Sequence, residues 1–368
     1  MNQRLHDRFV GLCEIPSPTG SERAVADALL AELRGLGIEV TEDGSAEAAR
    51  AGAGNLLARI PGNGDGWLML CAHLDTVPHD TPIEVVLDEG VYRSAGETIL
   101  GADNKAAVAV LCELAALRAE RPAEAGIELL LTVAEEDGLR GAAAFDTAAL
   151  HSSRGFVFDH ASAIGEVITA APSYQRLSAD FEGVGAHAGI RPEEGRNAIA
   201  AAAAAINAMT LGRLDWETTA NVGVIRGGSS PNVVPAGCRM EGEARSIDPA
   251  RAAELIGAMS ESCAWAASEH GCDVDVAVEE LFRGYRTPSG SPALALAEAG
   301  LRRAGREPIR VSTGGGSDAN ALISSGFDCV LLANGTSFNH TPDEQVAASD
   351  LDAMFAVCDA LVEEASNC

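Results

Sequence analysis

Two uninterrupted apolar runs, WLMLCAHLD (Trp67–Asp75) and IELLLTVAEE (Ile127–Glu136), flank a segment of helical periodicity, ADNKAAVAVLCELAALRAE. That order constrains the fold more than any other feature. A strand apolar on successive residues has to be covered on both faces. A strand, a crossover helix and a second strand place the two strands parallel in one sheet. The chain is therefore expected to build an α/β domain, with a mostly parallel sheet and helices on both faces. The stretch TGSERAVADALLAELRGLG fits this scheme as an outer helix. It opens on a capping-box pattern, Thr19 with Glu22, and closes on Gly35 and Gly37.

The pattern changes after Pro172. Strand (Tyr174–Glu182), helix (Gly195–Met209), strands (Thr219–Ile225 and Gly237–Ser246), helix (Pro249–His270) and strand (Val274–Leu281) follow in the order β-α-β-β-α-β. This is the ferredoxin-like order of an α+β unit. RGYRTPSGSP then reads as a linker, after which α/β alternation resumes with helix (Pro292–Ala304), strand (Pro308–Ser312), helix (Asp318–Ser325), strand (Cys329–Leu332) and helix (Ser349–Ser366). The simplest organisation is one α/β domain, residues 1–173 and 285–368, interrupted by an inserted domain over residues 174–284.

A formal charge of −28 excludes nucleic-acid binding through basic stripes, while the same field attracts divalent cations. Nine cysteines with no C-x-x-C pair form neither a disulfide framework nor a zinc-finger pattern. No apolar run is long enough to span a membrane and MNQRLHDRFVGLCEIPSPTG has no apolar core. A cytoplasmic protein with reduced thiols is expected.

In such sheets, ligands gather beyond the carboxyl ends of the strands. His73 and Asp75 lie there in LMLCAHLDTVP, Asp103 precedes a helix in TILGADNKAA, and Glu135 and Glu136 end the second apolar run. Asp159 ends a further strand in GFVFDHAS, and His340 sits in the polar loop NGTSFNHTPDE. Each has an ordinary explanation alone: Asp103 as a helix N-cap, the histidines as surface residues, the glutamates as a solvated turn. Five such clusters at one predicted ligand face point instead to a metal centre. With His73, Asp103, Glu136, Asp159 and His340 as ligands, three carboxylates and a shared hydroxide balance two divalent ions. Mixed imidazole and carboxylate ligation suits Zn²⁺, with Mn²⁺ or Co²⁺ as alternatives. Two ions would activate water and polarise a carbonyl, leaving Glu135 as the base that moves the proton.

These residues stand in motifs that resemble those of the co-catalytic zinc peptidase superfamily, which includes peptidase T, carboxypeptidase G, aminoacylase and succinyl-diaminopimelate desuccinylase. HLDTVP, GADNKAAVA, TVAEEDGLRGA, FVFD, GVGAHAG, GGGSDANAL and NHTPDE occur in that order across nearly the whole chain. The likeness is greatest to the peptidase T-like branch, through LGADNKAA and GGGSDANAL. The resemblance implies that Asp103 bridges two metals, with His73 and Asp159 completing one site and Glu136 and His340 the other. It further implies that Asp75 backs the histidine, that Glu135 is the general base, and that the inserted domain is a lid and dimerisation surface. On that lid it implies an oxyanion role for His187 and substrate contacts for Asn232 and Arg245. The GGGSDAN turn, with Gly315 and Ser317, would line the substrate at a helix N-terminus. Asn104 departs from the pattern, standing where many relatives carry a second Asp.

The function expected is a dinuclear-zinc amide hydrolase, an aminopeptidase on di- or tripeptides. A carboxypeptidase or N-acyl amino-acid deacylase of the same superfamily is the alternative, as is a non-catalytic metal- or ligand-binding relative. The partners expected are a small peptide or acylated amino acid and, through the lid, a second copy of the chain. No G-x-G-x-x-G follows the first strand and no phosphate-binding G-x-x-x-x-G-K-[ST] occurs, which excludes a nucleotide-binding reading.

Overall fold

The structure is a computed structural model that describes residues 2–366. It divides into two compact units. The first runs up to Thr169 and resumes over Thr287–Ser312 and from Ser317 onward; the second comprises Ala170–Arg286 together with Thr313–Gly316. The inserted unit thus begins a few residues before the position read from the sequence. The glycine turn Thr313–Gly316, expected in the α/β domain, groups with the insertion instead.

The first unit is built on one sheet. Its strands are β1 (Glu39–Glu42), β2 (Leu56–Ile60), β3 (Trp67–His73), β4 (Gly126–Thr132), β5 (Arg154–His160), β6 (Glu166–Ala171), β7 (Ile309–Ser312) and β8 (Asp328–Ala333). They lie in the order β1-β2-β4-β3-β5-β8-β6, with β7 beside β6. The central ladders β4-β3, β3-β5 and β5-β8 are parallel, while β1-β2, β2-β4 and β8-β6 are antiparallel. The sheet is parallel at its centre and mixed at its edges. Every residue of β4, and all of β3 after Trp67, is buried, as their unbroken apolar sequences require. The crossover helix Ala102–Glu120 is buried around most of its circumference, so its alanines and leucines show almost no amphipathic asymmetry.

Two local features differ from the sequence reading. The helix expected from Thr19 begins at Arg23, and Glu22 makes no side-chain cap there. Thr19 instead donates its hydroxyl to Asp75 at 2.7 Å, and the Glu22 carboxylate accepts from the N–H groups of Gly20 and Gly52. A four-stranded sheet, ordered 336–337, 345–347, 91–94 and 85–88, was not foreseen because its strands are only two to four residues long. It supports both ends of the loop that carries His340.

The second unit has the ferredoxin-like arrangement. Strands Thr218–Gly227, Gly237–Ser246, Ser173–Glu182 and Asp273–Phe282 lie side by side in that order, all antiparallel. Helices Ala198–Ala208 and Pro249–Glu269 pack with the sheet in a separate core containing Leu177, Phe181, Met240 and Met259. Burial alternates along Ser173–Glu182, the signature of a sheet covered on one face.

Candidate metal centre

β3 delivers His73 to its own C-terminal end, where the ring is 1 % exposed. Its Nδ1 lies 2.9 Å from the main-chain oxygen of Asp75 and 3.5 Å from the Asp75 carboxylate. That contact turns Nε2 outward, 3.4 Å from Asp103 Oδ1 and 3.3 Å from Asp159 Oδ1. A histidine whose Nδ1 is held by an oxygen and whose Nε2 faces carboxylates is in the standard pose of a metal ligand. Asp75 therefore orients the ring through its backbone at least as much as through its side chain. The side chain has other partners: Oδ1 accepts the N–H of Glu135 at 3.0 Å, and Oδ2 that of Glu136 at 3.2 Å.

Glu135 and Glu136 lie beyond the end of β4, after Ala134 turns the chain through a left-handed conformation (φ 51°). With their backbone fixed from behind by Asp75, the two side chains diverge. Glu136 Oε1 lies 3.0 Å from His340 Nε2. Glu135 groups with His73 and Asp159, and Glu136 with His73 and Asp103; each triplet has ligand atoms within 4.8 Å of one another. Glu135, expected as a base free of the ligand shell, is thus near enough to His73 and Asp159 to be a ligand itself.

Asp103 lies between the two histidines. Its Oδ1 faces His73, while its Oδ2 is 3.3 Å from His340 Nε2 and accepts the Asn339 amide at 2.8 Å. Oδ1 is buried with no hydrogen-bond partner. Gly101 (φ 71°) brings the backbone into this loop, and regular helical geometry starts only after Asn104.

The electrostatics describe a site short of positive charge. Burial, with Asp159 second, pushes Glu135 well above the usual carboxylate range, and burial raises Glu136 as well. Asp159 is raised by burial to about 8, although His73 opposes the shift. Burial disfavours charge on His73, yet Asp159, Asp103 and Asp75 outweigh it and hold the ring well above its usual value. His340 rises to about 10 through its hydrogen bonds with Asp103 and Glu136. Carboxylates that cannot all ionise, together with an orphaned buried oxygen, fit divalent cations. His73, Asp103, Glu135, Glu136, Asp159 and His340 are the residues that could hold them.

Comparison with known proteins agrees with this geometry. Residues 55–168 match the family model described as peptidase family M28, and residues 173–270 match the peptidase dimerisation domain. The chain is similar to the aminopeptidase PepT of Bacillus cereus, with 35 % identity, TM-score 0.88, and coverage of 99 % of this chain and 98 % of that one. It is also similar to a Staphylococcus aureus tripeptidase, with 32 % identity, TM-score 0.93, and coverage of 100 % and 99 %. The uncharacterized protein YqjE of Bacillus subtilis is 34 % identical over 99 % of both chains. The chain belongs to the peptidase T-like branch of the M20 metallopeptidases.

In this M20 peptidase the lid residues fall into two groups. His187 and Asn232 come together where Ala186–His187 pairs with Val233–Val234, and Ala188 N–H donates to Asn232 O at 2.9 Å. His187 is exposed, and its Nδ1 accepts from Gly189 N–H. Arg245 is elsewhere in the lid, stacked 4.2 Å from the Tyr174 ring centre, paired with Glu243 and donating to Gly314 O. Gly315 N–H donates to Thr313 Oγ1. Ser317, in the first unit, is buried, and its hydroxyl and N–H form a capping box with Ala319 and Asn320. The N–H groups of Gly315 and Ser317 are therefore both satisfied within the chain.

Sequence reasoning passed over four residues of this M20 peptidase. Glu344 is buried and accepts the N–H of Leu100, Gly101 and Asp103 at 2.8–2.9 Å. Asp318 is buried beside Thr132, whose hydroxyl it accepts, and burial raises it to about 6. Asn339 precedes His340 and holds Asp103. Lys105 is fully buried and donates to Leu12 O and Ile15 O. Composition carried a signal for the last, because it is the only lysine in the chain. Asn104 also finds its reason: its amide donates to Phe158 O on β5 at 2.8 Å, which a carboxylate could not do.

Proposed function

We propose that this metallopeptidase is a two-metal aminopeptidase acting on di- or tripeptides. The observation that carries the reading is Asp103, whose two carboxylate oxygens face His73 and His340 separately. One carboxylate addressing two histidine-containing clusters is the arrangement a pair of cations requires. Bound there, Zn²⁺, Mn²⁺ or Co²⁺ would supply Lewis acidity, polarising a carbonyl and acidifying water. His73, Asp103 and Asp159 would hold one ion, and Asp103, Glu136 and His340 the other.

The chain's own groups supply the proton transfer. Glu135, whose carboxyl is raised by burial and next by Asp159, lies within reach of His73 and Asp159 and would take the proton from water and return it to the departing amine. Asp75 positions Glu135 and Glu136 by their backbone and His73 by its ring. His187 would stabilise the oxyanion, with Asn232 and Arg245 binding substrate. Similarity to an aminopeptidase and a tripeptidase supports the substrate class. The match of residues 173–270 to a dimerisation domain supports a homodimer. No helix among the described residues is long and apolar enough to cross a membrane.

The test is metal content measured alongside hydrolysis of free, N-blocked and C-blocked peptides. About two metal ions per chain and a requirement for a free amino terminus are expected. Efficient turnover of N-blocked peptides would replace the aminopeptidase reading with a carboxypeptidase or deacylase.

A further inference from the structure

A cleft of about 470 Å³ opens against Glu136, within the first unit, and nothing described above uses it. Val77 and Pro78 form an apolar part of its lining, and Arg50, Arg140 and Asp137 add charge. The two arginines are not equivalent. Arg140 is tied to Asp137 by an ion pair of 2.5 Å. Arg50 stands in a left-handed conformation (φ 53°, ψ 37°) at the end of the short helix Ala46–Ala49, exposed to solvent. Its guanidinium has no ion-pair partner among the described residues.

The charge balance of the cleft follows. Arg140 cancels Asp137, Glu136 is committed to the metal centre, and Arg50 remains as one uncompensated cation. In a chain of formal charge −28 an anionic group is repelled from most of the surface. A guanidinium without an ion-pair partner, on a residue that lines the same cleft as Glu136, Val77 and Pro78, suits a carboxylate carried on a short aliphatic arm.

We propose that this cleft is a substrate subsite for a carboxylate and that Arg50 is the residue that reads it. The inference rests on the peptidase reading above and adds a preference to it. The carboxylate has two possible sources, an acidic side chain or the free carboxyl terminus of a short peptide.

The metal-loaded full chain is tested on two sets of peptides. In the first, members of each pair differ only by Glu or Gln at one residue; in the second, only by a free or amidated carboxyl terminus. The wild type is expected to favour the anionic member of one set about tenfold in kcat/KM, as expected of a charge-assisted hydrogen bond. Arg50→Glu should abolish or invert that ratio, and Arg50→Gln should reduce it. A response in the first set assigns the cleft to an acidic side chain, and one in the second to the peptide terminus. Ratios that match the wild type in both Arg50 variants overturn the proposal while leaving the peptidase reading intact. Hydrolysis of no peptide by the wild type overturns the peptidase reading, and this proposal with it.

Discussion

Glu344 holds Asp103 by its main chain. Its Oε1 accepts the Asp103 N–H at 2.8 Å, while Oε2 accepts those of Leu100 and Gly101 at 2.9 and 2.8 Å. One carboxylate thus fixes the backbone of the loop that presents Asp103 between the two histidines. Burial of Glu344 raises its pKa to about 7, so the contact is held against a desolvation cost. In Glu344→Gln one oxygen becomes an NH₂ group that meets an N–H instead of accepting from it. The expected result is a metal affinity weaker by about 10- to 100-fold, the usual range when a ligand's support is lost. Competition against a chelator measures it, and an unchanged affinity would remove Glu344 from the site's support.

Glu135 and Glu136 are adjacent in sequence but face different groups, and two isosteric changes separate their roles. Glu136→Gln should lose bound metal, because Glu136 faces His340 and Asp103. Glu135→Gln should keep the metal and lose about 10²- to 10⁴-fold in kcat, the range for removing a general acid–base. Metal analysis on both variants decides the matter. Metal loss in Glu135→Gln would make Glu135 a ligand with His73 and Asp159, an alternative the 4.8 Å grouping leaves open.

How far the sequence could be read follows from the length scale of each signal. β3, β4 and the crossover helix were legible because long apolar runs have few ways to be buried. The lid was legible because its four strands are ten residues long and two of them, Ser173–Glu182 and Gly237–Ser246, alternate regularly. His73, Asp103 and Asp159 were legible because strand ends and helix starts converge in a parallel sheet. Thr19 was misread because a hydroxyl followed by Glu three residues later suits a capping box equally well. Only the folded chain reveals Asp75 as its partner. Ser317, expected to line the substrate, caps the helix Asp318–Ser324, as a polar residue before a helix does unless something stronger competes. Glu344 and Asn339 depend on 336–337 and 345–347, strands too short to leave a periodicity, so their reach to Asp103 was invisible.

Lys105 offers a test of buried charge. It is the chain's only lysine, fully buried, and burial lowers its pKa to about 8. Its two acceptors, Leu12 O and Ile15 O, lie just before the segment in which Ser17 and Thr19 secure Leu74 and Asp75. Lys105→Met removes the ammonium from both carbonyls; Leu12 O keeps the Ile15 N–H at 3.1 Å while Ile15 O loses its side-chain donor, and the change should destabilise the fold by about 1–3 kcal/mol in denaturant titration. Lys105→Arg should not restore it, because a planar fork does not fit a cavity shaped for a compact ammonium. Amine-reactive labelling followed by mass spectrometry should leave Lys105 unmodified in the native protein and modify it in denaturant. Rapid native labelling, or a loss of stability below about 0.5 kcal/mol, would contradict this account.

Metal binding and protons should compete at this site. The folded pKa of Asp159 stands at about 8 against an ordinary 3.8, so the metal-free fold binds more protons than the unfolded chain across that interval. Its contribution to stability is therefore present at low pH and is lost as pH rises through about 8. His340 acts in the same direction: its folded pKa is raised to about 10, so its contribution is complete below its ordinary value of 6.5 and fades as pH rises through 10. Cations need the carboxylate ionised and the imidazole neutral, so binding must expel these protons and tighten as pH rises. The metal-dependent increase in Tm should be larger at pH 8 than at pH 6. Calorimetry in buffers of different ionisation enthalpy should report net proton release at pH 7. Equal increments at the two pH values, with no protons released, would mean that these groups are already deprotonated before the metal arrives.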